Sequence, residues 1–125
     1  MPARVVVNDN KFDIQVDVWI GGQPIEAVLD TGYTGAICLP ESFTATLPLG
    51  RLIPSSLTDA QGIEHKCKKA ELSVAVSNEN HPQKLPVQFF GVYNLVGLAA
   101  IHNHQVSFFV QDNEPCIIEP NAFQP

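Results

Sequence analysis

Segment 13–20, DIQVDVWI, alternates without a break, and this constrains the fold more than any other feature of the chain. Ile14, Val16, Val18 and Ile20 point one way while Asp13, Gln15, Asp17 and Trp19 point the other. That is the period of a half-buried strand. The turn-forming cluster GGQP at 21–24 then joins it to a second apolar run, Ile25 to Leu29, so a hairpin is expected. AICLP at 36–40 reads as a further short buried strand ended by Pro40.

The rest of the chain is also cut into short pieces. Residues 41–54, ESFTATLPLGRLIP, read as a loop with a short helix, because Pro48 and Pro54 stop anything long. Residues 55–77 form a second expected hairpin, with DAQG at its tip and alternation through Leu72, Val74 and Val76. After the polar loop 78–84, strands are expected at 85–92 and 105–112, with a short helix around Ala99, Ala100 and Ile101 between them. Cys116 to Ile118, flanked by prolines, reads as an edge strand in the tail. Short strands punctuated by turn signals predict an all-β barrel or sandwich, and 125 residues fit a single domain.

Composition narrows the partners. The net charge is −6 and the seven basic residues form no patch, which argues against nucleic acid. Cys38, Cys67 and Cys116 make an odd count without a CxxC spacing, so reduced thiols in a cytoplasmic setting are expected. No run reaches the length of a membrane span, and the first residues do not resemble a signal peptide. His102 and His104, even joined with His65, His81 and Cys67, meet no zinc spacing, so neither metal nor cofactor is expected. Phe89, Phe90, Phe108 and Phe109 read as core, and KCKK at 66–69 as a solvated face.

The chemistry concentrates at 27–35, AVLDTGYTG. Val28 and Leu29 run straight into Asp30, and an acid at the end of a buried strand is costly unless it is hydrogen-bonded, paired or used. Gly32 and Gly35 allow a sharp loop there. An ordinary Asp-Gly turn is the simplest alternative.

Two apolar residues followed by Asp30-Thr31-Gly32 and then Thr34 resemble the active-site loop of aspartic proteases. One copy in a short chain is similar to the retropepsin-like, retroviral-type family, its bacterial single-domain members included. NLVGLAAI at 94–101 is similar to that family's apolar-apolar-Gly segment, with Gly97 supporting the loop. The resemblance spans about 12–112 and leaves the tail 113–125 as a candidate interface strand. It implies an acid-protease barrel with one short helix that works as a two-fold homodimer. Asp30 would be the catalytic residue, facing its own copy across the axis. By the same resemblance, Thr31 braces the partner loop, the Gly32 amide orients the carboxylate and Thr34 fixes the outer loop. The hairpin tip Asp59, Ala60, Gln61 and Gly62 would be the flap that closes over an extended peptide.

Two carboxylates held that close share one proton, so one activates a water while the other polarises the scissile carbonyl; aspartic proteases are the reference case for this arrangement. The chain departs from the family pattern in three places. Leu98, Ala99 and Ala100 stand where a polar brace is common, Tyr33 where many relatives have a small residue, and the tip has fewer glycines than a viral flap. The alternative reading is a catalytically silent domain of the same fold that binds peptides or dimerises.

Overall fold

The computed structural model describes residues 4–8, 11–30, 32–76, 82–100, 106–109 and 117–120. Strand β1 (Arg4–Asn8) pairs antiparallel with β2 (Lys11–Ile20), which in turn pairs with β3 (Gln23–Leu29). The alternation of 13–20 lies within β2: Val16, Val18 and Ile20 are buried, and Asp17 and Trp19 partly exposed. The turn into β3 is tighter than GGQP suggests. Gly21 and Gly22 make it alone, with φ of +60° and +78°, and Gln23 and Pro24 already belong to the strand. A two-residue hairpin matched to the twist of its strands needs that left-handed pair. A Cβ on Gly21 would also stand 2.9 Å from the Pro48 ring.

Strand β4 (Ile37–Leu39) is buried throughout, and after Pro40 the chain forms one 3-10 helix, Glu41–Ala45. The second hairpin follows as β5 (Ile53–Thr58) and β6 (Glu64–Val76). It starts two residues earlier than the sequence suggests and takes in Pro54. Because β5 is the last strand of its sheet, the missing N–H of Pro54 can face away from the ladder. Strand β7 (Gln83–Phe89) runs parallel to β4 and antiparallel to β6. It stops short of the expected end at 92, because Gly91 turns the chain with φ +73°. The two-residue strand β8 (Leu95–Val96) leads into a helical turn at 98–100. Strands β9 (Val106–Phe109) and β10 (Ile117–Pro120) form a separate antiparallel pair, so the tail strand lies against β9.

Eight strands make one sheet in the order β1-β2-β3-β8-β4-β7-β6-β5. One further ladder, between β2 and β6, closes β2, β3, β8, β4, β7 and β6 into a ring, with Val18, Trp19 and Ile20 opposite Val76, Ala75 and Val74. Strand β6 makes this possible by changing partner along one edge: it pairs with β5 from Glu64 to Lys69 and with β2 from Val74 to Val76. The core includes Val16, Val18, Ile20, Ile37, Leu39, Leu72, Val74, Leu85, Val87 and Phe89. Burying each contributes about 1.5–3 kcal/mol before the entropy of ordering is set against it. Among the described residues no helix is long and apolar enough to cross a membrane.

Candidate active site

Asp30 stands where β3 leaves the sheet. Strand β8 lies between β3 and β4, parallel to the first and antiparallel to the second, so loop 30–36 must pass over its end. Main-chain bonds lock that passage. The Val28 amide donates to Asn94 O and the Asp30 amide to Val96 O, both at 2.8 Å, and Asn94 Nδ2 reaches Glu26 O. From the other side, the successive amides of Gly97, Leu98 and Ala99 donate to the carbonyls of Ala36, Tyr33 and Gly35 at 2.8, 3.0 and 3.2 Å. The loop is therefore braced by backbone at the place where Leu98, Ala99 and Ala100 offer no polar side chain. Gly97 is buried, and a Cβ there would run into the Gly35 and Tyr33 carbonyls and stand 2.6 Å from the Tyr33 ring.

Within the loop, the Gly32 amide donates to Asp30 Oδ1 at 2.9 Å and so fixes the direction of the carboxylate. Thr31 lies outside the described residues. Thr34 is exposed and takes no part in the cleft wall. Tyr33 folds back over Gly35, whose absent side chain makes room for the ring. Its hydroxyl faces two acceptors, Gln88 Oε1 and Ile37 O. Burial, with the Cys38 and Cys67 thiols beside it, raises the phenol well above its ordinary value.

Asp30 opens onto a cleft of about 440 Å³. The second hairpin supplies another wall: Leu57, Thr58, Asp59, Ala60 and Gln61 all line the cleft, whereas Gly62, at φ +83°, does not. Of the residues singled out in the sequence, the structure thus brings Asp30, Gly32, Asp59, Ala60 and Gln61 to one cavity and places Gly97 behind it. The hairpin tip is itself well fixed. Asp59 Oδ1 accepts from the amides of Gln61 and Ile63, at 2.9 and 3.0 Å, and Oδ2 lies 2.8 Å from His65 Nε2. The His65 bond, then the amides, holds the Asp59 carboxyl below its ordinary value.

Several cleft residues carry no sequence signal of their own. Phe90, expected in the core, lines the cleft instead, and its ring lies 4.9 Å from that of His65. Val92 and Tyr93 are 76 % and 71 % exposed and form the rim. Gly91 is the one hint available, since a left-handed residue inside an apparent strand marks a bend. Cys38 also reaches the cleft; its thiol donates to Phe90 O at 3.4 Å, and burial pushes it up to about 11. Among the described residues no group of three or more His, Cys, Asp or Glu is placed to hold a metal ion; His81, His102 and His104 lie outside them. No protein-family model matches this chain, and no curated protein matches it either.

Proposed function

We propose that the chain is a retropepsin-like aspartic endopeptidase that hydrolyses extended peptides as a homodimer. One observation carries the reading: Asp30, its carboxylate held by the Gly32 amide, lines the same cleft as the tip of a hairpin, and that cleft is of peptide-binding size. Such a chemistry needs a second carboxylate beside the first. Among the described residues Asp59 is the other acid of the cleft wall, but its oxygens are taken by two amides and His65. The partner is then Asp30 of a second copy across a two-fold axis. With one proton shared between them, one carboxylate draws a proton from water while the other polarises the peptide carbonyl. Leu57, Phe90, Val92 and Tyr93 exclude solvent from the bound segment, and hairpin closure completes the enclosure.

The test is cleavage of a mixed peptide library by the wild type and by Asp30→Asn between mildly acid and neutral pH, with the solution mass recorded alongside. Cleavage by a species of twice the chain mass, lost by about 10³-fold or more in the variant, is the expected result. A folded dimer that binds peptides and cuts none would make the domain a peptide-binding module.

A further inference from the structure

One side-chain amide joins the two walls of the cleft from behind. Gln88 lies on β7, opposite Cys38 of β4 and Lys69 of β6, and does not itself line the cavity. Its Oε1 accepts the Tyr33 hydroxyl. Its Nε2 donates to Ser55 Oγ at 3.0 Å and to Ser56 O at 2.8 Å. Both N–H groups are thus engaged. The orientation of the amide is fixed as well, because the Ser56 carbonyl can only accept.

These partners belong to different parts of the site. Tyr33 is in the Asp30 loop, pinned between Gly35 and Gly97, so its hydroxyl cannot drift without moving that loop. Ser55 and Ser56 are in β5, and the next residues, Leu57 to Asp59, are already cleft wall. In the sheet order β6 separates β7 from β5, yet Gln88 reaches β5 directly. No ladder bond makes that connection. Burial raises the phenol well above its ordinary value, so the hydroxyl keeps its proton at neutral pH.

We propose that Gln88 is a positioning residue that, by bridging Tyr33 to Ser55 and Ser56, sets the spacing between Asp30 and the hairpin tip. Its effect on catalysis rests on the reading of Asp30 given above; its effect on the spacing of the two walls does not. Gln88→Leu keeps the bulk and removes all three bonds. Gln88→Glu is more informative, since its ionised carboxylate would set an acceptor against the Ser56 carbonyl. When protonated, it regains one donor while its other oxygen still accepts from Tyr33. Tyr33, Cys38, Cys67 and Lys69 are the titratable groups around the position.

The experiment is amide hydrogen exchange on wild type, Gln88→Leu and Gln88→Glu over a pH series. Every variant is compared with the wild type at the same pH, because the Asp59 carboxyl at the tip also titrates. Steady-state cleavage is measured on the same preparations. In Gln88→Leu, protection at Gln61, Gly62 and Ile63 should fall about tenfold while Val18 and Val87 in the ring keep theirs. In Gln88→Glu the same loss should appear at neutral pH and recover as the pH falls through the carboxylate range, around 4. Where cleavage is measurable, KM should rise by more than kcat falls. Equal loss of protection in ring and tip, or no recovery of Gln88→Glu in acid, would overturn the proposal and leave Gln88 a packing residue. If no sample cleaves peptide but the exchange pattern holds, Gln88 keeps its role and the proteolytic reading of Asp30 fails.

Discussion

Of the glycines at the site, Gly97 leaves the least room for a side chain. Two carbonyl oxygens and the Tyr33 ring stand where a methyl group would go, and the carbonyls belong to the loop that carries Asp30. Gly97→Ala should therefore cost about 3 kcal/mol, the upper end for an overpacked site, and lower the thermal midpoint accordingly. Cys38 offers a second check. With its thiol held near 11 by burial, only a small fraction is thiolate at pH 8, so alkylation of the native protein should be about a hundredfold slower than for a free thiol. Mass spectrometry of peptides after timed treatment reads this directly. At this scale the sequence revealed what is local. Asp30, Gly32 and Gly97 stand out because glycines beside an acid carry their own geometric meaning. The link from Tyr33 to Gln88 does not, because a bond between residues 55 positions apart leaves no mark on either neighbourhood.

The second hairpin shows what one acid does for an element. Asp59 gathers two amides and His65, and its carboxyl is held below the ordinary range, chiefly by the histidine. A group depressed in the folded state contributes stability above its unfolded pKa and loses it as the pH falls through the folded value. Protection of the Gln61 and Ile63 amides should then be constant above about pH 5 and decline in stronger acid. Asp59→Asn should lack that decline, and two-dimensional NMR exchange measurements compare the two directly. The strands themselves were largely legible, since alternation in 13–20 and in 72–76 needs no tertiary information. Their ends were less so. β5 begins at Ile53 because Pro54 is tolerated on an outer strand, and β7 ends at Phe89 because Gly91 bends away. Both facts depend on place in the sheet.

At the scale of the whole molecule, the β2–β6 ladder turns a row of strands into a ring, and Phe89 sits inside it at 1 % exposure. Phe89→Ala should cost about 3–5 kcal/mol and unfold the chain at markedly lower denaturant concentration. A barrel was one of the two architectures expected from the sequence, but which strands close it was not readable there. Closure pairs residues more than 50 positions apart, Val18 with Val76 among them, and period-two patterning names the buried face without naming the partner. The partner change along β6 also bears on how such a chain could diversify. Below Lys69 that strand serves the hairpin, and above Val74 it serves the ring. Residues added or removed two at a time on each arm near the tip would preserve which side chains face inward, while moving the tip by about 3.4 Å per residue. The depth of the cleft can thus vary between descendants of this chain while the closed sheet beneath it is inherited unchanged.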